Sequence, residues 1–214
     1  MNPRIISIEG NIGAGKSTLV EELKIRYANR NDIVFLQEPV DAWAEITQDG
    51  KTMLQLFYDN QKKYSFAFQV MAYMSRLRLI KNEVDRAKKM NIKTIVMERS
   101  LDADRHIFAK MLHADDMIEE CMFKIYELMS DDGLREYSSD GTVWLTASPK
   151  ECLRRIGIRG REGEQSIGLD YLEKCDLYHQ EWLGNVGVGS AVYKVAADDE
   201  INWMELGRFL SCII

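Results

Sequence analysis

The stretch Gly10-Asn11-Ile12-Gly13-Ala14-Gly15-Lys16-Ser17-Thr18 restricts the fold of this chain more than any other feature, because it fits G-x-x-x-x-G-K-[ST]. Its flanks fit too. Residues 4–9 are an apolar, β-branched run that predicts a strand, and residues 18–24 predict the start of a helix. A glycine-rich turn between strand and helix leaves backbone N–H groups converging at a helix N-terminus, where phosphate oxygens are held. Lys16 is placed to reach terminal phosphates, and the Ser17 hydroxyl to ligate Mg2+. The stretch from Gly10 to Thr18 therefore predicts binding of ATP or another nucleoside triphosphate, which leaves open where the phosphate goes.

Short apolar runs recur at 5–8, 33–36, 94–97, 142–145 and 192–195, with helical patterns between them. They predict an α/β protein with about five parallel strands flanked by helices. No linker, repeat or low-complexity segment interrupts the chain, so residues 1–214 are expected to form one domain. Residues 64–90 contain no Gly or Pro and predict a long helix, and 117–129 a second. The methionines on these helices belong to a core or subunit interface. The net charge of −6 argues against a dedicated nucleic-acid surface. Cys121, Cys152, Cys175 and Cys212 have no metal-like or paired spacing, which suits reduced thiols inside a cell. With a strand expected this close to the start, and no run of membrane-spanning length, neither leader nor membrane anchor is expected and the reading is cytoplasmic. His106, His113 and His179 lack metal-like spacing and are expected to be structural or on the surface.

In open parallel sheets, ligands bind at the carboxyl ends of the strands. Glu38 follows the second run, with Trp43 close behind. It is positioned to take a proton from an attacking alcohol, although position alone equally suits a surface glutamate. Glu98-Arg99-Ser100 follows the third. Glu98 is a candidate for the Mg2+ shell, and Arg99 for neutralising phosphoryl charge. A structural ion pair is the alternative. Arg154, Arg155, Arg159 and Arg161 lie among Gly157, Gly160 and Gly163, in what reads either as a mobile, phosphate-clamping lid or as a solvated basic turn. The P-loop upstream favours the lid. On the long helix, Gln69, Ala72, Tyr73 and Arg76 are expected on one side, and the Gln69 amide matches the edge of a base, with Phe68 beside it to stack.

Taken in order, these motifs resemble the deoxyribonucleoside kinases of the deoxycytidine/deoxyguanosine kinase type. The resemblance runs through the P-loop, Glu38-Pro39-Val40 with Trp43, Phe66 to Gln69 leading to Arg76, Glu98-Arg99-Ser100 with Asp104-Arg105, and the lid Arg159-Gly160-Arg161 with Glu164. It implies a P-loop NTPase fold with an Arg-rich lid, transfer of a γ-phosphate to a deoxyribose 5′-hydroxyl, Mg2+, and a homodimer joined through the long helices. By resemblance, Glu38 is the base with Arg99 beside it, and Tyr58 and Glu164 bind the 3′-hydroxyl. Gln69 reads the base, with Ile12, Trp43, Phe68 and Phe108 as walls. Arg155, Arg159 and Arg161 clamp the donor phosphates, and residues 196–200 fall where the family holds the donor base. One departure is Gly163, where the family's lid often carries the first of two adjacent glutamates.

In the family, a charged pair at Arg76 and Asp104 goes with deoxycytidine and purine deoxynucleosides rather than thymidine. The chemistry agrees. Asp104 accepts from an exocyclic amino group, which thymine lacks, and an unpaired polar group there costs about 1–3 kcal/mol. The competing readings are a deoxynucleoside-monophosphate kinase resembling thymidylate kinase, a non-catalytic nucleotide-binding subunit, and a switch GTPase. The last lacks support, since the chain has no N-K-x-D motif.

Overall fold

The computed structural model describes residues 2–184 and 191–213. The span read as one domain also includes Met1, residues 185–190 and Ile214, which lie outside the described residues. Strands β1 (Arg4–Glu9), β2 (Ile33–Leu36), β5 (Thr94–Glu98), β6 (Gly141–Thr146) and β7 (Ala191–Ala196) make one sheet, ordered β2-β5-β1-β6-β7, with every pairing parallel. Each predicted run lies within one of these strands. A two-stranded hairpin, β3 (Thr47–Gln48) with β4 (Lys51–Thr52), stands apart from the sheet.

Side chains alternate across the central strands, and that alternation divides the core. Ile6, Ile8 and Val96 pack on one face with Leu19, Leu23, Leu172 and Leu206. These come from α1 (Lys16–Arg26), α9 (Leu169–Gly184) and α10 (Trp203–Ile213), with α8 (Pro149–Arg159) beside them. Ile5, Ile95 and Met97 point the other way and meet Tyr73, Ile80 and Tyr126. Those belong to α4 (Gln61–Met90) and α7 (Glu120–Glu136).

The long helix begins earlier than its predicted start, because the Asn60 side chain accepts the Lys63 N–H at 3.1 Å and caps it. The helix predicted over 117–129 is shifted to Glu120–Glu136, and its later turns pack on Tyr73, whose hydroxyl donates to the Ser130 carbonyl at 2.8 Å. The short elements had no periodicity to announce them. They are α2 (Val40–Ala44), α3 (Met53–Asp59), α5 (Leu101–Ala103), a π-helical turn over Asp104–Ala109, α6 (Lys110–Ala114) and a 3-10 turn over Glu164–Ser166. Register matters for function: Ile8 stands opposite both Glu98 and Val143, so the carboxyl ends of β5, β1 and β6 lie side by side at one edge of the sheet. Among the described residues, no helix is long and apolar enough to cross a membrane.

Candidate active site

The P-loop joins β1 to α1 as its spacing predicts. Gly13 has φ of 80°, and a Cβ there would lie 2.5 Å from the Cys152 carbonyl oxygen, so α8 seats against the loop only through glycine. The Asn11 side chain accepts from the Ile12 N–H and donates to the Leu172 carbonyl, both at 2.8 Å, which pins the loop to α9. Lys16 is buried and donates to the carbonyls of Gly10 at 3.1 Å and Asn11 at 2.9 Å. Burial and the Arg99 charge bring its ammonium down to about 8, against the pull of Glu98, Glu38 and Glu9.

At the carboxyl edge of the sheet lies a cavity of about 410 Å³. Ile12, Gly13, Gly15, Lys16, Ser17 and Thr18 line one end, while Gly10, Asn11 and Ala14 complete the loop without facing it. Glu38, Trp43, Tyr58, Phe68, Gln69, Arg76, Glu98, Arg99, Asp104 and Phe108 line another wall. Arg155, Arg159, Arg161 and Glu164 reach the same cavity from the lid. Five lining residues had no assigned role: Val40, Leu54, Phe57, Ala72 and Tyr171. Phe57 stacks on Phe68 at 4.5 Å between centroids, and Trp43 meets Phe68 edge-on at 5.7 Å. These packed rings give that wall of the cavity a continuous aromatic surface.

The face expected to carry Gln69, Ala72, Tyr73 and Arg76 together is divided. Gln69, Ala72 and Arg76 line the cavity, whereas Tyr73 turns to α7 and packs on Tyr126, with ring centroids 5.9 Å apart. Arg105 likewise faces away, pairing with Glu127 and Asp131 of α7. The π-helical turn is wider than an α turn and brings Asp104 and Phe108 to the same wall.

Arg76 is the electrostatic centre of that wall. Its Nε and Nη2 donate to the two Asp104 oxygens at 2.9 and 3.3 Å, and Nη2 also donates to Glu38 Oε1 at 2.8 Å. The Arg76 and Asp104 side chains are 2% and 3% exposed, so each depends on the other for its charge. Burial pushes the Glu38 carboxyl upward, but Arg76, Arg99 and Lys16 outweigh it and hold Glu38 at about 2. Arg99 has φ of 63°, a left-handed conformation that costs an arginine about 1–2 kcal/mol. That backbone turn lays its guanidinium over Phe108 at 4.6 Å and brings Nε to 3.5 Å from Glu38. Its Nη2 donates to the Gly10 carbonyl at 3.2 Å, and its Nη1 is buried with no acceptor among the described residues. A strained residue with a spare buried donor, facing a cavity, is the arrangement expected of an anion-binding group.

Ser17 donates to Glu98 at 2.8 Å beside Lys16. A hydroxyl and a buried carboxylate at a helix N-terminus make a hard-oxygen pair that fits Mg2+. In the lid, Arg159 and Arg161 both reach the buried Glu164, at 2.5 and 3.2 Å. Arg155 instead ties three parts together, donating to the Ala14 carbonyl at 3.0 Å, the Ala197 carbonyl at 3.2 Å and Asp198 at 3.1 Å. A second cavity of about 450 Å³ runs from Gly15 and Thr18 past Arg155 to Asp199 and Trp203.

The three histidines take no part in the lining. His106 stacks on Trp182, and His113 stacks on Phe123. His179 is buried with Nδ1 2.6 Å from the Cys175 carbonyl, and burial lowers it to about 3.

The chain matches the deoxynucleoside kinase family over residues 6–206. It is 38% identical to a rat deoxycytidine kinase over 196 residues, covering 83% of this chain and 74% of the relative. The human deoxycytidine kinase is 37% identical over 196 residues, with the same coverage. A mitochondrial deoxyguanosine kinase from Xenopus laevis is 32% identical over 199 residues, covering 86% of this chain and 74% of the relative. Since the match runs from β1 through the lid into α10, this chain, with its P-loop NTPase fold, belongs to the deoxynucleoside kinase family and is an enzyme that phosphorylates nucleosides.

Proposed function

We propose that the chain transfers the γ-phosphate of ATP, or another nucleoside triphosphate, to the 5′-hydroxyl of deoxycytidine or a purine deoxynucleoside, in preference to thymidine. The observation that carries this reading is the buried Arg76–Asp104 pair on the cavity wall beside Gln69. Asp104 accepts from an exocyclic amino group, Gln69 pairs with the base edge, and Phe68, Trp43, Ile12 and Phe108 enclose the ring. Tyr58 and Glu164 hold the 3′-hydroxyl.

Glu38 accepts the hydrogen bond of the 5′-hydroxyl and takes its proton as the new O–P bond forms. A carboxylate held at about 2 is a weak base. That suits a loose transition state, in which the proton leaves late and Glu38 acts first by aiming the oxygen. Arg99, Lys16, Arg159 and Arg161 stabilise charge on the transferred group, and Arg155 aligns the P-loop with the donor side. Residues 196–200 and the second cavity hold the donor base. Ser17 and Glu98 would hold Mg2+, which supplies further charge neutralisation on the phosphates when bound.

A monophosphate acceptor is disfavoured, because an ionised Glu38 would repel it. The test is ADP release with ATP and Mg2+ against the four deoxynucleosides and their monophosphates. Turnover with deoxycytidine, deoxyadenosine or deoxyguanosine above thymidine is expected. Activity confined to monophosphates would refute the reading, and no turnover at all would favour a non-catalytic nucleotide binder.

Lys16 sets a pH limit. The ammonium is needed at the phosphates and loses its proton as pH rises through about 8. ADP affinity is therefore expected to be about tenfold weaker at pH 9 than at pH 7, as the charged fraction falls. Calorimetric titration that gave equal affinity at both values would remove Lys16 from the phosphate site.

The chain acts as one domain, a reading supported by β1 and β7 sharing a sheet although they lie near opposite ends of the sequence. It pairs as a homodimer through α4 and α7, on which Met74, Ile125 and Leu128 are exposed. Leu128→Glu is expected to convert dimer to monomer by light scattering, and an unchanged mass would exclude this face. Four unpaired cysteines suit a reducing compartment, here the cytoplasm.

A further inference from the structure

We propose that Gln55 is a positioning residue that latches the lid, and that Gly163 is the seat against which it closes. Gln55 stands at the third position of α3. Its Oε1 accepts the Thr52 N–H at 2.6 Å while its own N–H donates to Thr52 Oγ1 at 3.3 Å, a reciprocal cap of the helix start. That cap fixes which end of the amide faces outward. The Thr52 N–H requires the oxygen, so the amide nitrogen is presented to the lid. There it donates to Glu162 Oε1 at 2.9 Å.

The adjoining lid residue makes this approach possible. Gly163 has φ of 91°, and a Cβ there would lie 3.0 Å from Gln55 Cγ and 3.2 Å from Gln55 N. Any side chain would be strained in its backbone and would also lift the lid off the first turn of α3. With glycine, the segment lies flat, and its next residue, Glu164, is carried into the cavity, where it gathers Arg159 and Arg161. One turn along the same helix, Tyr58 lines the cavity too. The latch thus holds an acceptor-side carboxylate and two donor-side arginines through one hydrogen bond outside the cavity. This inference rests on the phosphotransfer reading above for its kinetic consequences, but not for its geometry.

The test uses Glu162→Ala, Glu162→Gln, Gln55→Ala and the Gln55→Ala/Glu162→Ala double variant. Loss of one exposed, charge-assisted hydrogen bond is expected to raise KM for both substrates together by about 3–10-fold in Glu162→Ala, with Tm unchanged. In Glu162→Gln the amide oxygen still accepts, so KM should stay within about twofold of wild type. The double variant should be no worse than Gln55→Ala, since both remove the same bond. Hydrogen exchange at residues 160–168 should quicken by about 3–10-fold in Glu162→Ala. Unchanged KM and exchange in Glu162→Ala, or additive losses in the double variant, would overturn the latch. A wild type that phosphorylates nothing sinks the kinase reading, while the exchange measurement still decides the latch.

Discussion

Glu38→Gln is expected to lower kcat by about a hundred- to ten-thousandfold, the range for removing a positioned acid–base group, while the Kd for deoxynucleoside changes little. The amide keeps the size of the side chain and still accepts a hydrogen bond, so the acceptor can be aligned but its proton has no anionic destination. Rapid-quench kinetics of the chemical step would check this, and near-normal turnover would move the base elsewhere. The wild type should also show no loss of rate attributable to Glu38 between pH 5 and 7, because its carboxyl lies at about 2. The same depression stabilises the fold. It is fully present above the ordinary carboxyl value of 4.5 and is lost as pH falls toward about 2. Glu38→Gln should therefore flatten the acid side of the stability profile as well as slow the reaction.

Arg76→Met alone is expected to be among the most destabilising single changes in the protein. It strands Asp104, 3% exposed, without its cation, and removes a partner from Glu38. Breaking one side of a buried pair costs about 3–5 kcal/mol, roughly 10 °C in Tm for a chain of this size. Adding Asp104→Ala removes the stranded charge, so the double variant should recover much of that stability. It should also raise the thymidine-to-deoxycytidine ratio of kcat/KM by about 10–100-fold, the worth of one mispaired polar group. Its kcat should fall for every substrate, because Glu38 is left with Arg99 and Lys16 alone. Thermal unfolding and kinetics on both nucleosides would decide the matter. A double variant less stable than Arg76→Met, or an unchanged substrate ratio, would refute the pair's role.

The link between specificity and catalysis through Arg76 was not visible along the chain. The family resemblance implies that Arg76, on a helix, and Asp104, after a strand, are two groups near a base. Nothing in it implies that one guanidinium touches Asp104 and Glu38 together, since those carboxylates are brought together only by the order β2-β5-β1. Arg155 illustrates the same limit. As one arginine of a basic, glycine-rich turn it reads as a phosphate clamp, and nothing along the chain announces that it lines the cavity while also donating to Glu151, Ala14, Ala197 and Asp198. Tyr73 shares a helical stripe with Gln69 and Arg76, but thirty residues of α4 pass between two environments, and α7 claims the tyrosine. Phe57 and Leu54 were missed because α3 is too short for periodicity to reveal, although the Thr52-to-Gln55 spacing is a capping signal that could have found it.

What the sequence determined by itself is whatever depends on neighbours along the chain. Strand runs separated by helical patterns specify a parallel α/β sheet, and a glycine-rich turn ahead of Lys16 and Ser17 specifies a phosphate cradle, because both follow from local backbone geometry and side-chain period. What only the tertiary structure decided is which charges share a dielectric. The depression of Glu38, the lowered ammonium of Lys16, the left-handed turn at Arg99 and the contact of Gln55 with the lid all arise from groups distant in sequence. Coulombic and desolvation energies depend on separation and burial in space, and neither quantity is written in residue order.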